Sequence, residues 1–368
     1  MFDCIIVGAG PAGGTAAYHL AKRGCSVLLL EKAELPRYKP CGGGVSPAVQ
    51  EWFDFDLTPA ISLKVNSVCY TWNQGDPVEV NLEVPPIWMV RREVFDYFLV
   101  KQAIAQGAQL RDKTAVTGIE WQGAYWQVNT ADEPVTGRYA IAADGAKGPM
   151  AQWLGFSQRK YTMGSALEAE IPTKQQALTS AYFELGMIKK GYGWNFPKID
   201  GYSIGVGRFW GKSPEKFKQK LAAYANMFNV DSITAKPYGH PIYLWNGNQK
   251  LHAENAVLAG EAACVVDPFT AEGIRPSIFS GLRAAHAIAE AIAGDINALE
   301  KYTTTMKEEW GAEMIWAQRI AQAFYNFPSI GYKAGIKQRS NTITMTKIFA
   351  GERRYSDAAK SALKRLLG

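Results

Sequence analysis

The sequence predicts a mixed α/β chain: a Rossmann-like dinucleotide-binding domain, an interleaved antiparallel β-sheet domain and a helical C-terminal region. Three observations predict it. The apolar run Phe2-Asp3-Cys4-Ile5-Ile6-Val7 stops at Gly8 and gives way to helical patterning from Ala12 to Arg23. The stretch from Gly164 to Phe209 is β-rich between turn signals, and everything after Ala293 reads as helix. A chain of 368 residues also exceeds the usual single-core size, so two interleaved lobes are expected.

Taken in order, the first elements form strand, tight turn and helix, ended at Gly24. Ser26-Val27-Leu28-Leu29-Leu30 is a continuous apolar run, as expected of a parallel strand covered on both faces, and it closes on Glu31. Leu35 to Val45 is a loop crowded with Pro, Gly and basic residues. From Asp54 to Val84 apolar and polar residues alternate. A helix follows over Val94–Gln106 with Phe95, Phe98, Leu99 and Ile104 inward, then strands at Ala115–Trp121, Trp126–Asn129 and Arg138–Ala143. Ile188 to Trp194 leads into a turn at Pro197, a helix lies between Pro214 and Asn226, and Val257-Leu258-Ala259 is a last short core strand. Pro276 to Ala293 is an amphipathic helix with small residues for close packing. The domains then divide as 1–50 with 86–160 and 250–295 for the dinucleotide, 51–85 with 161–249 for the substrate sheet, and 296–368 as a basic helical region.

Hydrophobic content of 47% with 20% charged residues excludes a disordered chain. The N-terminal apolar run has no cationic segment before it and is broken by glycines and Pro11, so it reads as neither signal peptide nor membrane span. Five cysteines, Cys4, Cys25, Cys41, Cys69 and Cys264, are scattered and have no Cys-x-x-Cys or His pairing, so no metal is expected and a reducing cytoplasm fits. The formal charge of +6 is lopsided: from Lys333 to Gly368 nine Lys or Arg stand against Glu352 and Asp357, an excess of +7. Two readings of this tail stay open. It is a solvated helical region packed on its own protein, or a peripheral membrane element whose helix over Ser356–Leu367 sets Ala359, Leu363, Leu366 and Leu367 on anionic lipid. No nucleic-acid partner is expected.

The loop Gly8-Ala9-Gly10-Pro11-Ala12-Gly13 gives each glycine a task. Gly8 turns the chain, Gly10 lets backbone approach a pyrophosphate, and Gly13 lets helix and strand pack closely. The helix N-terminus faces the phosphates, and Glu31, 18 residues beyond Gly13 and followed by Lys32, is placed to accept from the adenosine ribose hydroxyls.

Two later stretches, Ile141-Ala142-Ala143-Asp144-Gly145-Ala146 and Ala256 to Ala263 with Gly260-Glu261, resemble the Asp-Gly and Gly-Asp motifs of the hydroxylase-type FAD fold. There the later carboxylate holds the flavin ribityl chain, and Glu261 stands where that fold usually has Asp. Within that fold the chain resembles the geranylgeranyl reductase family from Met1 to about Ala293. Pro36-Arg37-Tyr38-Lys39-Pro40-Cys41-Gly42-Gly43-Gly44 is similar to the family's Cys-Gly-Gly loop beside the flavin ring. Tyr192-Gly193-Trp194-Asn195-Phe196-Pro197-Lys198 with Gly205-Val206-Gly207 matches its Tyr-x-Trp-x-Phe-Pro-Lys pattern at the substrate cavity. Asp267-Pro268 to Glu272-Gly273-Ile274 resembles its flavin-covering loop, with Ala271 in place of a glycine, and Arg92 fits a position that holds cofactor phosphates.

The resemblance implies a FAD-dependent reductase of carbon–carbon double bonds in a geranylgeranyl or other polyprenyl lipid, with Cys41, Tyr192 and Trp194 at the reacting end. It implies NADPH or reduced ferredoxin as electron donor, and an acidic donor protein would suit the basic tail. Such chemistry needs a long apolar cavity, and Tyr192, Trp194 and Phe196 offer rigid walls for it. Two other readings stay open because fold does not fix function: a FAD monooxygenase of an aromatic or isoprenoid compound, and a non-catalytic flavin electron relay or prenyl-lipid carrier. His240, alone between Gly239 and Pro241, reads as a surface turn residue.

Overall fold

The computed structural model of the chain describes residues 1–173, 178–211, 216–230 and 235–367. Its first sheet has eight strands. Phe2–Val7 lies at the centre and pairs in parallel with Val27–Leu30 on one side and with Val135–Ala142 on the other. Ala256–Leu258 extends the parallel order beyond Val135–Ala142, and Gln109–Arg111 extends it beyond Val27–Leu30. Parallel strands must be covered on both faces, which explains why Ile5, Ile6, Leu28, Leu29, Ile141 and Val257 are all buried. The helix Pro11–Ala21 follows the central strand and packs on Ile274–Ile292 and Arg92–Ala105. A hairpin of Val116–Trp121 and Trp126–Thr130 hangs antiparallel from Val135–Ala142.

The second sheet has seven strands and is antiparallel except where Ser180–Leu185 runs beside Ser67–Trp72. Its register sets Tyr238, Glu168, Gly205, Trp194, Phe183 and Tyr70 in one row across six neighbouring strands. Strand side chains alternate, so this row and the parallel rows of Tyr192 and Phe196 share a face. The opposite face buries Ile171, Ile204 and Val206 under the helix Phe217–Asn226. A small third sheet pairs Gly44–Val45 and Leu63–Val65 with Ile87–Met89. The C-terminal region is helical over Ala298–Thr305, Ala312–Asn326, Arg339–Ala350 and Tyr355–Leu367, interrupted by π-helical turns at Met306–Gly311 and Gly331–Ile336.

The fold class is the one expected, with three local differences. Pro197 does not end a strand: Gly191–Lys198 runs through it, and the chain turns after Lys198. Proline is tolerated there because pairing with Ser180–Leu185 begins at Asn195 and Tyr182, so no ladder partner on that side needs its missing N–H. His240 is not a surface turn residue but sits inside the strand Tyr238–Trp245. Ile104 is exposed, and Val100 and Ala103 fill the inner side of its helix instead. The expected helix start at Pro214 lies outside the described residues, as do the side chains of Leu363, Leu366 and Leu367 in the last helix.

Candidate active site

One cavity of about 530 Å³ runs from the glycine loop after the first strand, past the Cys41 loop, to the aromatic face of the second sheet. Of the expected cofactor residues, Gly8, Gly10, Pro11, Ala12, Glu31, Lys32, Cys41, Gly42, Gly43, Arg92, Asp144, Gly145, Gly260, Glu261, Gly273 and Ile274 line it. Gly13 stands behind the loop, where a Cβ would fall 1.9 Å from the Gly8 carbonyl oxygen, so helix and strand meet as the motif requires. Pro268 is turned away, its carbonyl accepting from Trp210 Nε1 at 2.9 Å.

The dinucleotide end is built by backbone and carboxylates. Gly8 turns the chain with φ of 105°, and the helix Pro11–Ala21 begins at the cavity wall with free N–H groups and the positive end of its dipole. Glu31 Oε2 accepts from the Ala9 N–H at 3.0 Å and Oε1 from the Ala33 N–H at 3.1 Å, which fixes the carboxylate at the end of its strand. Arg37 Nε lies 3.2 Å from Glu31 Oε2 and its Nη1 lies 3.1 Å from Asp96 Oδ2. Arg92 grips both Asp96 oxygens at 2.7 Å and stands beside the Cys41 side chain. Burial opposes the Arg92 charge, yet the Asp96 carboxylate outweighs it and raises its pKa. A chain of charge-assisted bonds therefore links Glu31, Arg37, Asp96 and Arg92 and ends beside Cys41.

The middle of the cavity carries a second polar set. Glu261 accepts from the Tyr243 N–H at 3.1 Å and meets His240 Nε2 at 3.3 Å and Lys39 Nζ at 3.8 Å. Burial would raise its carboxyl, but the His240 bond and the Lys39 charge hold it below the usual value. Asp144 accepts from the Met150 N–H at 2.9 Å through Oδ2, while Oδ1 is buried without a partner, and burial pushes its pKa to about 6. An orphaned acceptor on a cavity wall is what a bound hydroxyl or ring N–H would satisfy. These features fit FAD: glycine loop and helix terminus for the diphosphate, Glu31 for ribose, and Asp144 and Glu261 with the N-terminus at Gly273-Ile274 for the flavin half.

The far end is aromatic. Trp194, Phe196, Tyr192, Phe183 and Tyr70 face the cavity from the second sheet. Trp194 lies flat on Gly205, where a Cβ would stand 2.0 Å from its ring. Gly42 meets the same aromatic surface: a Cβ there would lie 2.8 Å from the Phe196 ring and 3.0 Å from Trp194 Nε1. Lys198 Nζ donates to the Gly42 carbonyl at 2.6 Å, so the Cys41 loop and the strand Gly191–Lys198 form one unit. Burial lowers the Lys198 pKa against the pull of Glu170, Cys41 and Glu168. The Tyr192 hydroxyl donates to the Thr270 carbonyl, tying that strand to the loop that follows Asp267.

Several lining residues had no sequence signal strong enough to single them out. Glu168 is buried, accepts from the Tyr38 hydroxyl at 3.0 Å through Oε1, and keeps Oε2 unpartnered. Burial, with help from Glu170, pushes its pKa to about 8. Phe324, Tyr325, Ile336, Met345 and Phe349 close the cavity from the C-terminal helices. Asp96 was legible in principle, standing four residues after Arg92 on one helix face.

Fold and site together define a FAD-dependent oxidoreductase. The FAD binding domain family matches residues 1–185, half of the sequence. The chain belongs to that family. It is 33% identical over 331 residues to an uncharacterized protein of Methanosarcina barkeri, covering 89% of this chain and 85% of the other. It is 29% identical over 337 residues to digeranylgeranylglycerophospholipid reductase 1 of Methanothermobacter thermautotrophicus, covering 85% and 84%. In fold it is similar to a geranylgeranyl bacteriochlorophyll reductase-like protein of Thermoplasma acidophilum, with a TM-score of 0.80 at 22% identity over 95% of this chain and 91% of the other. A flavin-dependent brominase shares the fold with a TM-score of 0.74 at 18% identity, over 99% of each chain.

Proposed function

We propose that the protein reduces carbon–carbon double bonds of a geranylgeranyl or other polyprenyl lipid. The observation that carries this reading is the single cavity, polar along its dinucleotide end and walled by aromatic rings beyond the Cys41 loop. Curated relatives named digeranylgeranylglycerophospholipid reductase, aligned over most of their length, support it. When bound and reduced, FAD supplies a hydride for one alkene carbon, and a proton must reach the other. Trp194 and Tyr192 hold the prenyl chain and exclude water, with Phe183 and Tyr70 extending the wall. Cys41 stands at the junction of the polar and apolar parts, beside Arg92, as the group that shapes the flavin environment or passes the proton. Arg92, Glu31, Asp144 and Glu261 serve the cofactor.

In this reading segments 1–50, 86–160 and 250–295 hold the cofactor, 51–85 and 161–249 hold the substrate, and 296–368 closes the cavity. NADPH or reduced ferredoxin supplies the electrons, an acidic donor protein being suited to the basic C-terminal region. Among the described residues no helix is long and apolar enough to cross a membrane. On the proposed reading the protein works in the cytoplasm, peripherally on a membrane that presents the lipid.

The test is anaerobic incubation of the chemically reduced holoprotein with a digeranylgeranylglycerophospholipid in detergent. The expected product is heavier by one hydrogen molecule per double bond reduced. An unchanged lipid, or substrate-stimulated oxygen uptake with an oxygenated product, would overturn the proposal in favour of a carrier or a monooxygenase.

A further inference from the structure

The excess positive charge of the C-terminal region points at first to its last helix as the lipid contact, but the side chains direct attention elsewhere. Lys337 pairs with Asp76 at 2.7 Å and Lys347 with Glu83 at 3.3 Å, while Arg353 donates to Thr344 Oγ1 and Ser361 Oγ. Two of the nine tail cations thus tie the tail to the second sheet and its following loop, and a third bonds within the tail itself. Phe327 and Ile330 behave differently. They are 63% and 61% exposed, three residues apart on the turn closed by the Gly331 N–H and the Phe327 carbonyl, so they share one side of it. Holding two large apolar side chains in water is costly unless something covers them.

The same segment looks inward with its other side. Phe324 and Tyr325, just before the turn, and Ile336, after it, line the apolar cavity, and Tyr332 and Ile336 are buried against Leu185. Only this short stretch of backbone separates the cavity wall from the bare Phe327 and Ile330. Lys333 and Arg339 follow it, exposed and without an ion pair among the described residues. Two apolar prongs with unpaired cations beside them match an interface whose headgroups are anionic and whose interior is hydrocarbon.

We propose that the turn at Phe327–Ile330 is the part of the protein that enters an anionic lipid surface, and that the polyprenyl chain passes into the cavity beside it. This rests on the reading of the substrate as a membrane lipid. It places the contact at the cavity's outer wall rather than on the terminal helix.

The test is co-sedimentation of the FAD-loaded protein with vesicles of phosphatidylglycerol and phosphatidylcholine, and with phosphatidylcholine alone. Wild type should sediment with the anionic vesicles, and the double variant Phe327→Ser/Ile330→Ser should bind them about tenfold more weakly. Lys333→Glu/Arg339→Glu should bind weakly as well, and wild-type binding should fall as salt rises. Ile296→Ser, at a side chain 94% exposed in the loop before Ala298–Thr305, is the control and should bind as wild type. Equal binding of wild type and the Phe327/Ile330 double variant, or no binding by wild type, would overturn the proposal. Failure of the substrate reading shows separately: wild type would then leave the prenyl lipid unreduced in detergent, where no surface is needed. If the surface is right, the double variant keeps wild-type turnover in detergent and loses it with lipid in vesicles.

Discussion

Gly205→Ala tests whether the aromatic wall is held in place by the sheet beneath it. A methyl group at this position would lie 2.0 Å from Trp194 Cζ2 and 2.4 Å from two further ring carbons. Ordinary carbon contacts need about 3.5–4.0 Å, so the ring must rise by about 1.5 Å or the two strands must part. Neither is easy. Gly42 also crowds the ring, its own methyl standing 3.0 Å from Trp194 Nε1, and Gly42 is held by Lys198. Overpacking of this kind costs about 1–3 kcal/mol. The expected result is a lower denaturant midpoint with an unchanged m-value, together with a raised KM for the prenyl lipid as Trp194 intrudes on the cavity. FAD affinity should stay within about twofold, because overpacking is felt by the groups in contact with it. Gly118→Ala is the control, since its methyl would meet nothing nearer than 3.5 Å. If Gly205→Ala matched wild type in both stability and KM, the claim that the Trp194 ring is held in place by the Gly205 backbone would be refuted.

Glu168→Gln carries a pH signature. The Glu168 pKa is raised from 4.5 to about 8, so its protonated form is favoured by folding. Its stabilising contribution is complete below the ordinary carboxyl value and is lost as pH rises through that window to the folded value. The variant, which mimics the protonated acid, should therefore match wild type near pH 4.5 and gain on it progressively to pH 8 in thermal unfolding. Asp96→Ala strands the buried Arg92 and should cost about 3–5 kcal/mol in urea unfolding. Glu31→Gln weakens the Arg37 pair, and, with Glu31 serving ribose as proposed, fluorescence titration should show FAD binding weaker by at least about tenfold.

The dinucleotide half was readable because its physics is local. A turn that only glycine tolerates, a helix started by proline and a strand ended by an acid stand within about 30 residues, and each is visible without knowing the rest of the chain. The motif around Trp194 was readable as a pattern, but its packing was not. Gly42 and Gly205 approach the same ring from segments 163 residues apart in sequence, and no periodicity announces such a meeting. His240 misled for a related reason: glycine and proline on either side suggest a turn, while pairing across to Ala166 keeps it in a strand. Glu168 gave no sign of its burial, because an acid among alternating residues usually faces water. The C-terminal lining residues belong to helices whose apolar faces predict burial against something without saying what.

The ring of Trp194 resting on bare backbone divides the cavity into parts that differ in how freely they can vary. The floor takes its depth from a strand-to-ring stacking distance, so a change of side chain there disturbs the sheet itself. The roof is different: Phe324, Ile336, Met345 and Phe349 reach down from helices, and their length and shape alone set the clearance. A chain with this floor can be refitted for longer, shorter or branched lipids by exchanging roof residues, with the cofactor end left untouched.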